Sequence, residues 1–206
     1  MKDLKRNVIL DAATKVFAQK GYQYATISEI SREAGMSTGL VYAYFENKLD
    51  VLLSIVLHFW QTINQSNQKK LPTMRDPFDK LFVVFHNLEE SLVKDEKALY
   101  IIKVLNEALP HIVMIKEKNL QEKRQNIIRE NKKLLETIDT IIAEGQKLDV
   151  FDKSLKPSVL RQILCGGIEI LIYGLFFKTH CKIEIGYDEA DLHKGAVKLI
   201  EKLVGK

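Results

Sequence analysis

The stretch TISEISREAGMSTGLVYAYFENK, residues Thr26–Lys48, predicts two short helices joined by a tight turn. Thr26 is a good N-cap for the first helix, and Glu29 three residues later completes a capping box. Gly35 ends that helix and turns the chain, because glycine adopts positive φ without steric cost. The three signals together indicate a helix, a turn and a second helix.

The second helix of this pair has an unusual outward face. Either Ser37 or Thr38 supplies the hydroxyl that caps it. Helical spacing turns Met36, Val41 and Phe45 inward. The outward positions hold hydroxyl, small and aromatic residues with few charges, namely Ser37, Thr38, Gly39, Leu40, Tyr42 and Ala43. Such a face favours close approach to a phosphate backbone and to base edges, so the stretch predicts a DNA-recognition helix.

These residues also resemble the DNA-binding domain of the tetracycline-repressor (TetR) family. The segment GMSTGLVYAYFENKLDVL is similar to the family's recognition helix. From about Ile9 to Leu53 the matching features keep the family's order and spacing, namely Gly21-Tyr22, Thr26-Ile27, Ala34-Gly35, the block Tyr42-Ala43-Tyr44-Phe45, and Lys48. The resemblance implies an all-α, homodimeric transcription regulator, usually a repressor, that a small molecule releases from DNA. Beyond Leu53 it rests on helical layout.

The resemblance also implies which residues meet DNA. The residues implied to contact phosphates are Thr26, Ser37, Tyr42, Tyr44 and Lys48. The candidates nearest the bases are Thr38, Gly39 and Leu40. Leu40 suits a thymine methyl group, and Gly39 allows the backbone to approach closely. For Tyr44, packing against the first helix is an equal alternative.

Composition is that of a single soluble globular chain. It has 206 residues, 46% of them hydrophobic, and a formal net charge of +4, which is compatible with DNA binding but weak evidence for it. Cys165 and Cys181 form no Cys-x-x-Cys pair, so reduced thiols in the cytoplasm are expected. No signal peptide is visible, and the most apolar run, residues 163–177, is shorter than the roughly 20 residues of a membrane span. We expect a cytoplasmic protein with no membrane partner.

Apolar periodicity and breaking residues predict about nine helices, with Pro110 stopping or kinking the sixth. Their predicted ranges are 3–20, 26–34, 37–45, 48–65, 77–93, 96–109, 111–147, 156–179 and 188–203, with a polar break at 65–76. The fold class is therefore all-α. The predicted domains are a three-helix helix-turn-helix domain at 1–47 and a ligand-binding and dimerisation domain at 48–206, with helix 48–65 connecting them.

The second domain carries apolar side chains on several helices, which predicts a pocket for a small-molecule effector between them. Simple core filling is the favoured alternative for any single residue. The predicted lining is Phe82, Phe85, His86, Tyr100, Val104, Leu105, Glu107, Ile138, Ile142, Ile168, Glu169 and Ile172. Glu169 is a carboxylate within an apolar run, so it needs a partner, solvent, a ligand or a subunit boundary. The layout loosely resembles family members that sense fatty acyl-CoA.

The helix predicted at 156–179 is apolar on more than one face, so the core of one chain covers one side and a second copy of the chain covers the other. Gly166 and Gly167 allow another helix to approach closely. The predicted dimer interface is Leu160, Leu164, Gly167, Leu171, Leu175, Leu192, Ala196, Leu199 and Ile200.

Competing functions have less support in the sequence. No nucleophile elbow, phosphate loop or metal-ligand spacing is present, so we expect neither an enzyme nor a bound cofactor or metal. The five histidines are scattered along the chain, and His180-Cys181 is the one His–Cys neighbour pair. A helical metal or redox sensor, or a helical adaptor that does not bind DNA, remains the alternative.

Overall fold

The structure is a computed structural model that describes residues 2–93 and 96–204, without the side chains of 2, 3, 93, 96–99, 176, 177, 179–181, 189 and 203. In those residues it contains nine α-helices, one 3-10 turn and no strand, which confirms the all-α prediction. The helices are α1 Lys2–Lys20, α2 Ile27–Glu33, α3 Thr38–Tyr42, α4 Lys48–Lys70, α5 Pro77–Val93, α6 Glu96–Met114, α7 Lys118–Lys147, α8 Pro157–Cys181 and α9 Glu189–Val204.

The predicted start and stop signals are present. Thr26 forms the capping box with Glu29 at the beginning of α2. Gly21 and Gly35 have φ of 82° and 64°, so both chain reversals use the left-handed conformation that glycine tolerates. Asp149 also adopts positive φ, at 65°, just after α7. Aspartate accepts this conformation more readily than most side chains.

Three predicted helix boundaries differ from the structure, and one of them is the start of α7, which lies at Lys118 where residue 111 was predicted. Pro110 lies inside α6, which continues to Met114, because Ile112 and Ile115 beyond it pack into a hydrophobic core. The polar break predicted after residue 65 is helical up to Lys70. Asn67 is buried there and accepts a 2.7 Å hydrogen bond from the Asn87 amide. Asn67 is therefore part of the interior, whereas Gln65, Gln68, Lys69 and Lys70 are exposed on the last turns of α4.

The chain divides into two compact units. Unit 1 comprises residues 1–62 and 95–131, and unit 2 comprises residues 63–94 and 132–206. A continuous hydrophobic core in unit 1 joins α1–α3 to the first turns of α4 and to α6 and α7. The packing units thus differ from the predicted functional division at 47/48, which stays a prediction.

Helix α8 presents two different sides within unit 2. Leu160, Leu164 and Ile168 are buried, whereas Val159, Ile163 and Ile170 are 42%, 42% and 72% exposed. Its segment Pro157–Leu175 meets the length and composition of a membrane span, which is weak evidence for one. Only 28% of this segment is buried within the chain. A helix with this pattern needs a cover for its second apolar side.

Candidate DNA-binding site

Helices α2 and α3 are fixed to one another by polar contacts at the turn. The Ser37 hydroxyl accepts a 3.2 Å hydrogen bond from the Leu40 N–H, so Ser37 is the N-cap of α3. Thr38 Oγ1 lies 3.0 Å from Ser31 Oγ across the turn. Beneath these contacts, Val41 is fully buried and Phe45 nearly so. Capping therefore sets the start of α3, and burial sets its rotation.

The outward face of α3 is exposed as the sequence pattern predicts. Ser37, Thr38 and Gly39 are exposed, Tyr42 is 55% exposed, and Leu40 is half-buried. Thr26 is also exposed, at the start of α2. An added Cβ at Gly39 would meet no atom within 4 Å, so the backbone is open to a close approach there. This face offers hydroxyls, a phenol and bare backbone.

Tyr44 differs from Tyr42 in its surroundings. It is half-buried and packs against the unit 1 core, with its ring centroid 6.4 Å from that of Phe45. The alternative predicted for Tyr44, contact with the first helix, stays a prediction. A phosphate contact from its hydroxyl remains a prediction.

Lys48 is directed toward the loop between α1 and α2. Its ammonium donates to the carbonyls of Tyr22, Gln23 and Ala25 at 2.7, 3.0 and 2.9 Å. It also lies 4.6 Å from the centroid of the Tyr22 ring. Loss of solvent around it lowers the pKa of Lys48. The phosphate contact implied for Lys48 stays a prediction, but these contacts show that Lys48 holds the loop before α2.

The basic residues of α1 interact with neighbouring side chains. Lys15 lies 2.5 Å from Glu33, and Lys20 pairs with Glu29. The Lys20 and Thr26 hydrogen bonds lower the pKa of Glu29. Ion pairs of this kind partly neutralise the positive charge around α2. The α3 helix itself, residues Thr38–Tyr42, carries hydroxyls and exposed backbone and no charged side chain.

Helix α6 binds the same loop from another side. Glu107 accepts a 2.7 Å hydrogen bond from the Tyr22 N–H, and Lys103 donates to the Ala18 carbonyl. His111 packs edge-on against Tyr22, with centroids 4.6 Å apart. A groove of about 460 Å³ lies among these residues. Sequence reasoning missed this contact, because no local pattern links α6 to a loop some 85 positions earlier.

The predicted ligand residues are divided between the two units, and the pocket stays a prediction. Tyr100, Val104 and Leu105 belong to the unit 1 core, and Glu107 bonds to Tyr22 in the same unit. Of the predicted ligand residues that lie in unit 2, those with 4% or less of their surface exposed are Phe85, Ile138, Ile142, Ile168 and Ile172. Phe82 and His86 are half-buried, and Glu169 is exposed, so solvent satisfies that carboxylate.

Unit 2 also contains a surface groove of about 440 Å³ between α5 and α7. Lys80 lies in it, 2.7 Å from Glu144, and Lys133 and Glu136 line it as well. Two cations and two anions cancel, so the groove shows no preference for a polyanionic ligand. We do not assign the effector to it.

Most residues predicted for the dimer interface lie inside unit 2 itself. Those exposed by 6% or less are Leu160, Leu164, Leu175, Leu192, Ala196 and Ile200. Gly167 faces α9 of the same chain, since an added Cβ would lie 2.7 Å from Leu199. Leu171 and Leu199 are half-buried. Among the described side chains of α8, the large apolar ones that are exposed are Val159, Ile163 and Ile170, none of which belongs to the predicted interface.

Cys165 bears on the redox alternative. Burial raises the pKa of its thiol to about 11, against a smaller lowering by Arg161. The thiol is therefore protonated at neutral pH and a poor nucleophile. The side chains of His180 and Cys181, the other residues of that alternative, lie outside the described part of the chain.

Comparisons with known proteins agree with this site. Residues 9–55 match the model of bacterial regulatory proteins of the tetR family. A fatty acid metabolism regulator protein of Bacillus subtilis (strain 168) is 29% identical over 161 residues, 78% of each chain. The transcriptional regulator HbdR of Aromatoleum sp. (strain CIB) is 38% identical over 77 residues, 37% of this chain and 34% of the relative.

Two solved structures resemble nearly the whole chain. The fatty acid degradation regulator FadR from Bacillus halodurans has a TM-score of 0.73 and 26% identity, covering 95% of this chain and 94% of its own. The regulator FadR from Bacillus subtilis, in complex with stearoyl-CoA, has a TM-score of 0.69 and 25% identity, covering 94% and 96%. The matched segment includes the turn and the exposed α3 face described above. Residues 9–55 therefore carry the DNA-binding segment of the TetR family of bacterial transcriptional regulators, and the fold of the chain resembles that of such regulators.

Proposed function

We propose that this regulator is a repressor that binds a palindromic operator as a dimer and is released by a long-chain fatty acyl-CoA. The observation that supports DNA binding most strongly is the exposed α3 face, on which Ser37, Thr38, Gly39 and Tyr42 lie above a buried Val41. A solvated helix face normally carries charges, whereas this one carries none. We assign this face to a groove of duplex DNA.

Contacts on that face divide into positioning and reading. Thr26, Ser37 and Tyr42 would donate hydroxyls to phosphates, which orients the head without reading sequence. Thr38, Gly39 and Leu40 would lie nearest the bases. Lys48 would act mainly through the loop it holds, and the α4 N-terminus beside it is a further place for a phosphate.

Dimerisation would use the exposed side of α8. Val159, Ile163, Gly166 and Ile170 recur at intervals of four, three and four residues, which places them on one helix face. We call this set the α8 stripe. At Gly166 an added Cβ would meet no atom within 4 Å, so the backbone there is open to a second helix. A partner's α8 packed on the stripe would cover the apolar side that one chain leaves exposed.

The acyl-CoA assignment rests on the relatives, one of which is named a fatty acid metabolism regulator and another is described in complex with stearoyl-CoA. Unit 2 supplies a chemistry compatible with an acyl chain. Phe85, Ile138, Ile142, Ile168 and Ile172 are apolar and buried on α5, α7 and α8. We propose that the acyl chain enters among these helices by displacing part of this core.

Release would follow from a shift between two arrangements of the chain. A ligand changes DNA affinity only by binding one arrangement better than the other. Helix α6 follows α5 directly in sequence, and it bonds to the α1–α2 loop through Glu107 and to the last turn of α1 through Lys103. We propose that movement of α6 carries the signal to the loop that precedes the recognition helices. Soluble, cytoplasmic residence fits this role.

A titration tests the proposal. Purified protein is bound to labelled DNA from upstream of its own coding region, and anisotropy is followed as stearoyl-CoA is added, with free CoA and stearate as controls. We expect stearoyl-CoA to weaken binding roughly 5- to 150-fold, the usual range of allosteric coupling, and the controls to have no effect. Specific DNA binding that ignores the thioester would overturn the effector, and failure to bind DNA would overturn the function.

A further inference from the structure

Helices α5 and α9 bring together two histidines and a glutamate from positions far apart in the sequence. His193 Nδ1 lies 3.0 Å from Glu89 Oε2, and His86 Nδ1 lies 3.9 Å from the same oxygen. One ligand atom from each of the three side chains lies within 4.8 Å of the others. We propose that His86, Glu89 and His193 form a binding site for a divalent transition-metal ion such as Zn²⁺. This inference goes beyond the proposed function and does not depend on which effector releases DNA.

The donor set suits the metal. Zn²⁺ is bound by imidazole nitrogen and carboxylate oxygen at about 2.0–2.2 Å, and two histidines with one glutamate is an established three-ligand set. For tetrahedral coordination such bonds place ligand atoms about 3.3 Å apart. The distances of 3.0 and 3.9 Å lie on either side of that value. The remaining pair, between the two imidazoles, lies within 4.8 Å, so side-chain adjustment alone can bring all three ligand atoms to an ion.

A second observation favours a ligand over a simple ion pair. His86 Nδ1 is inaccessible to solvent and has no hydrogen-bond partner, which is costly for a buried polar atom. A metal ion bound to that nitrogen would satisfy it. The side chain of His86 is 39% exposed, that of His193 43% and that of Glu89 15%. An ion can therefore reach the cluster from solvent.

Phe82 positions both imidazole rings. It stacks on His86 with an interplanar angle of 4° and meets His193 edge-on, with centroids 5.9 and 5.8 Å away. Such neighbours restrict ring orientation and shield a metal from solvent. Three protein ligands leave one tetrahedral position open to water or to an added ligand. A bound ion would link α5 to α9.

The test is calorimetric titration of Zn²⁺ alone into full-length, tag-free protein stripped by a chelator. We expect one equivalent per chain and an increase in the melting temperature, because an ion that binds the native state stabilises it. Separate His86→Gln, Glu89→Gln and His193→Gln variants should each weaken binding by roughly 10- to 100-fold or more, since even residues behind the ligands have effects of that size.

Matched controls are Glu90→Gln, which changes the exposed neighbour of Glu89, and Cys181→Ser. Both should bind Zn²⁺ as the wild type does. The proposal is overturned if wild-type protein binds no Zn²⁺, if the three cluster variants retain wild-type affinity, or if Cys181→Ser or Glu90→Gln weakens binding as much as they do. If one cluster variant fails to fold, the other two variants, compared with Cys181→Ser and Glu90→Gln, still locate the site.

Discussion

Tyr42 and Lys48 are both polar residues of the DNA-binding head, yet they have different surroundings. Tyr42 projects from α3 into solvent, whereas Lys48 donates to three carbonyls of the α1–α2 loop. The exposure of Tyr42 could be predicted from helical spacing alone. The inward direction of Lys48 could not, because it depends on a loop more than twenty positions away whose carbonyls have no helical partners.

This contrast gives a prediction for two variants. Tyr42→Ala should weaken binding to all DNA sequences and leave the melting temperature unchanged, because it removes a contact made only with DNA. Lys48→Ala should lower the free energy of unfolding by roughly 1–2 kcal/mol as well, because hydrogen bonds to a charged group are lost. Anisotropy titrations at several salt concentrations, together with thermal unfolding, measure both effects. Equal melting temperatures for the two variants would show that Lys48 does not hold the loop.

At the scale of an element, α3 is short and depends on its boundaries. A hydroxyl cap at Ser37 or Thr38, the Gly35 reversal and the buried Val41 could all be recognised in the sequence, because each follows a local rule, and the structure assigns the cap to Ser37. The ends of α4 and α6 could not. Asn67 is retained in a helix by its hydrogen bond to Asn87, and Ile112 beyond Pro110 by core packing. Both contacts are tertiary and leave no local pattern.

Substitutions of the two glycines near α3 should change stability and DNA affinity in different ways. Gly39→Ala should increase stability by up to about 1 kcal/mol, since alanine favours helix and its Cβ meets nothing. It should nevertheless weaken DNA binding, because the methyl group blocks close approach of the backbone. Gly35→Ala should instead lower stability by roughly 1–2 kcal/mol, because its φ of 64° strains a side chain. Denaturant unfolding and DNA titration check both; undiminished DNA affinity in Gly39→Ala would remove Gly39 from the interface.

At the scale of the whole molecule, the arrangement of α1–α3 could be predicted from the sequence better than the packing of α6 and α8. The composition of α8 shows that one of its apolar faces must pack against something outside the chain's own core. It does not show which face that is. Leu160 and Leu164 are buried within the chain, and the exposed residues are Ile163 and Ile170. A helix apolar on both sides gives no sequence signal for which side meets its own chain. Likewise, α6 is part of unit 1, where Glu107 accepts a hydrogen bond from the Tyr22 N–H that no local sequence pattern predicts.

Charge on the α8 stripe should therefore prevent dimerisation. Ile170→Glu places a carboxylate where an apolar interface is proposed, and burial of an unpaired charge is costly. Sedimentation should give twice the 23.7 kDa chain mass for wild type and a single chain mass for the variant. Val113→Glu is the matched control, since Val113 is 62% exposed on α6 and outside the stripe. A dimeric Ile170→Glu protein with wild-type affinity would place the interface elsewhere.

The central claim is that the exposed face of α3, presented twice by a dimer, reads duplex DNA. Selection of bound sequences from a random double-stranded pool, with wild-type protein and with Tyr42→Ala in parallel, tests it most directly. We predict that wild type enriches an inverted repeat whose half-site centres lie about 34–36 Å apart, or a multiple of that distance, and that Tyr42→Ala enriches it weakly or not at all. Enrichment of no sequence by the wild type, of a single asymmetric site, or of the same repeat equally by both proteins would contradict the claim.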